Sequence, residues 1–118
     1  MMGHTHAAIG LATGLALSQA LPGSNPLLLG ACAGLAALLP DIDHPAAPLR
    51  QRLGTVGDVL FFWLPHRGLS HTMVAAALVF IVTGIGAVYG LFPSAVWFAI
   101  SAGYVSHLIA DSMTVSGV

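Results

Sequence analysis

The stretch Thr72–Leu91 reads TMVAAALVFIVTGIGAVYGL and carries no charged side chain anywhere along its length. A helix over this stretch would be about 30 Å long, which matches the hydrocarbon core of a bilayer. Its apolar residues do not alternate with polar ones as they would in a half-buried strand, so the pattern predicts a helix. The stretch therefore indicates a membrane protein built from helices.

The composition of the whole chain points the same way. Of 118 residues, three are Arg and four are Asp, with no Lys or Glu, so that 6% are charged, against about a quarter in soluble domains. Hydrophobic residues make up 57% of the chain, and the mean hydropathy is +0.90. A small soluble domain could not cover its surface with so few charges. A net charge of −1 also offers no cationic surface for nucleic acid, so the expected partner is a lipid bilayer.

Three further apolar stretches predict helices at about His6–Leu21, Leu27–Leu39 and Ser94–Ala110, each bounded by a proline. A single crossing needs about 20 residues, so the first two are short for a span. We predict an all-α membrane bundle of about four helices, forming one domain over residues 1–118. Glycine pairs four residues apart favour close helix packing within the chain over a dimer motif; they are Gly10/Gly14, Gly30/Gly34 and Gly86/Gly90. The oligomeric state stays open.

The ionisable residues gather where the first and third helices begin and where the second and fourth end. These ends lie on the same side of an up-down bundle, and the turns on the opposite side contain no ionisable residue. The gathered His and Asp residues are His4, His6, Asp41, Asp43, His44, His66, His71, His107 and Asp111. Imidazoles and carboxylates with few other polar neighbours are typical of a metal site. The donors exceed what one tetrahedral ion needs, so one or two ions that activate water are expected.

Each part of this group also has a simpler interpretation. His4 and His6 could be a solvated terminus, Asp43-His44-Pro45 a turn, and His107 with Asp111 a lone hydrogen-bonded pair. Convergence of all of them on one face favours a functional site, because ionisable residues at membrane depth are costly. A metal-ion transporter is the main alternative, although its ligands would be expected near the bilayer midplane. A bis-histidine haem protein would instead carry facing histidines along its helices.

Four motifs in order, GHTHAAIG (Gly3–Gly10), PDIDHP (Pro40–Pro45), HRGLSH (His66–His71) and GYVSHLIADSMTVSG (Gly103–Gly117), resemble the YdjM-type family of predicted membrane-bound metal-dependent hydrolases. The resemblance covers nearly the whole chain and implies a helical inner-membrane protein with a divalent-metal hydrolase site. By position it implies a ligand set of His6, Asp41, His44, His66, His71, His107 and Asp111, with Asp43 as a ligand or a general base. Family members commonly continue into further apolar helix, whereas this chain stops at Val118, so a short member and one lacking C-terminal helices are both open.

The three arginines decide the expected orientation. Arg50, Arg52 and Arg67 all lie between the second and third predicted helices, on the side of the His/Asp group. The positive-inside rule places that side in the cytoplasm. We therefore expect a multi-pass inner-membrane protein whose site hydrolyses an ester or phosphoester of a lipid headgroup or amphiphile. Asp43 or Asp111 would accept the proton of the attacking water and Arg67 would stabilise anionic charge. Zinc is the first expectation for the metal, with manganese or iron as alternatives.

Overall fold

The computed structural model describes residues 2–43, 48–61 and 69–114, and every regular element within those ranges is a helix. The all-α prediction is confirmed. The elements, in chain order, are α1 (Gly3–Ala20), α2 (Pro26–Ala36), a 3₁₀ helix (Leu39–Asp43), α3 (Pro48–Phe61), α4 (Met73–Val88) and α5 (Ser94–Ser112).

Local sequence explains where several of these helices begin and end. The side chain of Asn25 accepts hydrogen bonds from the backbone N–H groups of Leu27 and Leu28, and Pro26 occupies the first helical position of α2. Both features satisfy or avoid donors that a helix N-terminus leaves unpaired. The Thr72 hydroxyl accepts from the N–H of Ala75 at the start of α4. Side-chain caps thus fix where α2 and α4 begin, and these two helix starts lie at opposite ends of the bundle.

The helix bounds differ from the prediction in two places. The third apolar stretch forms only Met73–Val88, because Gly90 takes a left-handed φ of 73° and the chain turns before Pro93. The polar interval expected between the second and third helices contains α3, which bends at Gly54, where φ is 53° and ψ is −133°. Among the described helices, none combines the length and the mean hydropathy that one bilayer crossing requires.

The helices α1, α2 and α5 pack against one another, and glycines allow α1 and α5 to approach the backbone of α2. A Cβ on Gly10 would lie 2.6 Å from both the Ala33 carbonyl oxygen and the Ala37 Cβ. Gly103 of α5 lies against the same carbonyl group of Ala33. Packing within the chain is confirmed for Gly10/Gly14 and Gly30/Gly34, all four of which are buried. Gly90 instead ends α4, with nothing within 4 Å of its Cβ position.

A second contact joins α4 to α5. The indole of Trp97 packs on Gly84 and Phe80, and its Nε1–H donates to the Phe80 carbonyl at 2.8 Å. Nearer the other end, Tyr104 and Leu108 bury themselves against Ala76. This packing brings the start of α4 to the end of α5, where the His/Asp group lies.

Candidate metal centre

Four side chains from separate parts of the sequence meet at one end of the bundle. Asp41 comes from the 3₁₀ helix, His71 from the turn before α4, and His107 and Asp111 from the last turns of α5. One ligand atom from each lies within 4.8 Å of all the others. His107 is fully buried and Asp111 is 7% exposed. The group therefore combines two imidazoles and two carboxylates in a largely enclosed position.

The separations between these atoms are those expected of ligands around one ion. His107 Nε2 lies 3.3 Å from both His71 Nε2 and Asp111 Oδ2. The pairs His71 Nε2–Asp41 Oδ1, His71 Nε2–Asp111 Oδ2 and His107 Nε2–Asp41 Oδ1 each measure 3.6 Å. Bonds of about 2.0–2.2 Å in a tetrahedral arrangement put ligand atoms about 3.3–3.6 Å apart. The donor set and its spacing thus fit a divalent cation.

A backbone carbonyl fixes the orientation of the His107 ring. His107 Nδ1 lies 2.6 Å from the oxygen of Ala37, at the end of α2. A carbonyl oxygen only accepts hydrogen bonds, so Nδ1 carries the proton and donates it. Nε2 then presents its lone pair toward His71 and the two carboxylates. Metal-binding histidines commonly donate their other ring nitrogen in this way, which fixes both tautomer and orientation.

His71 is positioned by two residues that sequence reasoning did not single out. The Ser70 hydroxyl lies 3.1 Å from His71 Nδ1, and the Tyr104 hydroxyl donates to the backbone carbonyl of Ser70. Tyr104 precedes His107 by three residues, so both lie on the same side of α5. That spacing in the sequence could have identified Tyr104 as a residue near the site. The Ala37 carbonyl gave no signal, because a backbone acceptor leaves no trace in the side-chain pattern.

His6 lies beside this group, on the other side of the Asp111 carboxylate. Its ring stacks on that of His107 with 3.7 Å between centroids, and its Nε2 is 3.0 Å from Asp111 Oδ1. Among the described residues, neither nitrogen of this 1% exposed ring has a hydrogen-bond partner of acceptable geometry. Buried ring nitrogens without partners are costly. A proton shared with Asp111, or a cation beside that carboxylate, would satisfy Nε2.

The remaining predicted site residues fall outside this arrangement or outside the described residues. Asp43 ends the 3₁₀ helix, and nothing is described of its side chain. His44, His66 and Arg67 lie outside the described residues. His4 is exposed at the start of α1 and does not belong to the four-residue group. Asp58, which the sequence did not assign to the site, is exposed on α3.

An all-helical fold carrying two imidazoles and two carboxylates at one end defines a helical protein with a candidate site for a divalent cation. The chain belongs to the YdjM inner membrane protein family, whose sequence profile matches residues 1–118. The resemblance seen in the four motifs is thereby confirmed, and the family places the protein at the inner membrane.

Individual relatives agree with this assignment. Inner membrane protein YdjM of Escherichia coli (strain K12) is 35% identical over 85 residues, which are 71% of this chain and 43% of that protein. The protein of the same name from Shigella flexneri gives the same values. Uncharacterized protein YvsG of Bacillus subtilis (strain 168) is 28% identical over 119 residues, covering 100% of this chain and 71% of that protein. The chain thus spans less than half of the YdjM relatives. No solved structure matches it.

Proposed function

We propose that the protein is a metal-dependent hydrolase of the inner membrane that cleaves an ester or phosphoester bond in a lipid headgroup or other amphiphile. The observation that carries this proposal is the spacing of Asp41, His71, His107 and Asp111, whose donor atoms lie within 4.8 Å of one another. Such a set would bind zinc well, with manganese or iron as alternatives. A divalent ion held there supplies Lewis-acid chemistry, which activates water and polarises ester or phosphoester oxygens.

The chain's own groups would then orient the reactants and handle the proton. His107 is held by Ala37 and His71 by Ser70, so both rings are already in position before a ligand arrives. The Oδ1 atom of Asp111 faces His6 at 3.0 Å, while its Oδ2 faces His107 and His71. Asp111 can therefore contribute one oxygen to the ion and use the other to accept a proton, which the His6 ring would share.

Four further residues belong to the proposal because they lie in the family motifs, and nothing is described of their side chains. In this proposal His44 and His66 add ligands, to the same ion or to a second one. Asp43 is an additional ligand or the alternative general base, and Arg67 stabilises negative charge that develops on the substrate.

We also propose a multi-pass arrangement with the site at the cytoplasmic face. Large apolar side chains are widely exposed on the helices, among them Leu27 at 80% and Val88 at 83%. Such surfaces suit a hydrocarbon environment. All three arginines lie in the sequence between α2 and α4, in the connection expected on the same side of the membrane as the site. This supports the cytoplasmic orientation.

Metal content of the detergent-purified protein is the first test. We expect about one or two ions per chain in the unaltered protein and a large loss in His107→Ala. The matched control is His4→Ala, which removes an exposed imidazole from outside the group and should keep the full metal content. An unaltered protein without stoichiometric metal, or equal metal in both variants, would refute the site.

Hydrolysis and transport are separated by a second pair of measurements. Purified protein loaded with Zn²⁺, Mn²⁺ or Fe²⁺ would be assayed against carboxylic esters, phosphomonoesters and phospholipids. Proteoliposomes would be assayed for uptake of the same ions. Metal-dependent hydrolysis that His107→Ala abolishes supports the proposal. Ion uptake without hydrolysis would replace it with the transporter alternative.

A further inference from the structure

A groove of about 610 Å³ lies between α1 and α5, outside the group of four donors. Its lining includes Ile9, one helical turn after His6, and Ala110, the neighbour of Asp111 in the chain. The size falls in the range of ligand-binding pockets. One end of the groove is thus level with the polar site along the helix axis, although none of the four donors lines it.

The walls of the groove offer little to a polar ligand. Thr13 and Ser106 carry its two hydroxyl groups, and both donate within their own helices, Thr13 to the Ile9 carbonyl at 2.8 Å and Ser106 to the Gly103 carbonyl at 2.7 Å. The other lining side chains are aliphatic or thioether, such as Ile109 and Met113. A sugar, base or peptide would leave its own polar groups unpaired there. The walls therefore suit an alkyl or acyl chain.

The direction of the groove relates it to the site. Along α5 its lining runs from Met113, beyond Asp111, back to Ala102, a distance of about 16 Å at 1.5 Å per residue. Along α1 it runs from Ile9 to Thr13, away from His6. One end is thus level with the His/Asp group along α5, and the other lies further along the apolar helices. This combination is complementary to an amphiphile with a polar head and a single aliphatic tail.

We propose that this groove is the tail subsite of the enzyme and that it takes the alkyl or acyl chain of the substrate. The assignment rests on the proposed function for the headgroup, whose scissile bond the bound tail would hold at Asp111 and His107. Within a bilayer an alkyl chain gains little by leaving lipid for an apolar protein surface. The groove would therefore act by orienting the substrate more than by tightening its binding.

The test maps where each part of an alkyl chain touches the protein. The full chain, reconstituted in lipid nanodiscs with Zn²⁺, is photolabelled with two long-chain alkylphosphonates that differ only in the place of a diazirine. One carries it at the terminal carbon and the other next to the phosphonate. We expect mass spectrometry to find the terminal label near Ala102 and Thr13, and the proximal label near Ile109 and Met113.

A pair of variants controls for general exposure to lipid. Ala102→Phe would fill the deep end of the groove and should reduce the terminal label there at least several-fold. Ala77→Phe makes the same change at an exposed position of α4 and should leave the pattern unchanged. Identical label distributions for the two probes would overturn the proposal. A disulfide formed between two copies of an Ile109→Cys variant would also overturn it, because the occupant would be a second chain.

The proposal of a tail subsite and the proposal of a hydrolase can be refuted separately. Stoichiometric metal and hydrolysis together with position-independent labelling would refute the groove alone. Position-dependent labelling of a protein that retains no metal would keep the groove as an amphiphile site and refute the hydrolase.

Discussion

Replacing Gly103 by alanine should weaken both the fold and the metal centre, because this glycine sets the distance between α2 and α5. A Cβ at this position would lie 2.7 Å from Ala33 Cα and 2.8 Å from Ala33 C, and would press on the Ala33 carbonyl oxygen. These are backbone atoms, which cannot turn aside as a flexible side chain can. Restoring a contact of about 3.5 Å to Ala33 Cα alone would require the helices to separate by about 0.8 Å, and the closer carbonyl oxygen sets this as the minimum.

That displacement reaches the site through Ala37, one helical turn beyond Ala33. The His107 Nδ1–Ala37 oxygen distance of 2.6 Å would grow to roughly 3.4 Å, past the normal limit of a hydrogen bond. Overpacking costs about 1–3 kcal/mol and the lost hydrogen bond about 0.5–1.5 kcal/mol, while alanine regains about 1 kcal/mol of helix propensity. We expect a net loss of about 1–3 kcal/mol and metal binding about 10–100-fold weaker.

Thermal unfolding of the metal-free protein in detergent and zinc titration against a competing chelator measure the two effects. Gly30→Ala on α2 is the matched control, because its added Cβ would meet side-chain atoms of Leu15 at 3.3 and 3.4 Å and the Leu11 carbonyl oxygen at 3.6 Å, an ordinary van der Waals distance. The control should stay close to the unaltered protein in both assays. A Gly103→Ala protein that unfolds at the unaltered temperature and binds zinc with the unaltered affinity would refute the reasoning.

Three further predictions concern the donors and their supports. Asp41→Asn removes one anionic ligand from the group, so zinc affinity measured by chelator competition should fall by at least tenfold, while Asp58→Asn on exposed α3 should leave it unchanged. Tyr104→Phe removes the hydrogen bond to the Ser70 carbonyl, which should cost about 0.5–1.5 kcal/mol of stability and weaken zinc binding severalfold; equal zinc affinity in this variant would exclude a positioning role for Tyr104. Removing metal with a chelator should lower the unfolding temperature, since free zinc at 100 times its dissociation constant would stabilise the fold by about 2.7 kcal/mol; an unchanged unfolding temperature would contradict a metal bound to the folded state.

Much of the fold and of the candidate site was predictable because it depends on short-range patterns. The apolar stretches predicted the helices that became α1, α2, α4 and α5, and prolines and glycines predicted the turns between them. In an up-down bundle of the four predicted helices, the starts of the first and third lie on the same side as the ends of the second and fourth. The meeting of the donors therefore also followed from chain order; these are His6, Asp41, His71, His107 and Asp111. The helix α3 was missed because it is not a continuous apolar stretch: its apolar residues are interspersed with polar ones, and its backbone is interrupted at Gly54.

Residue order alone predicted a helical, apolar protein with its scarce ionisable residues at one end, and among the described residues His6, Asp41, His71, His107 and Asp111 meet there. The tertiary structure decided which atoms face one another. Close backbone contacts at Gly10 and Gly103 hold α2 against α1 and α5, and this packing brings the Ala37 carbonyl to His107. It likewise decided that the two oxygens of Asp111 face different partners, and that an apolar groove lies between α1 and α5. Such features depend on distances between helices, which come from side-chain and backbone packing and are not encoded in any local pattern.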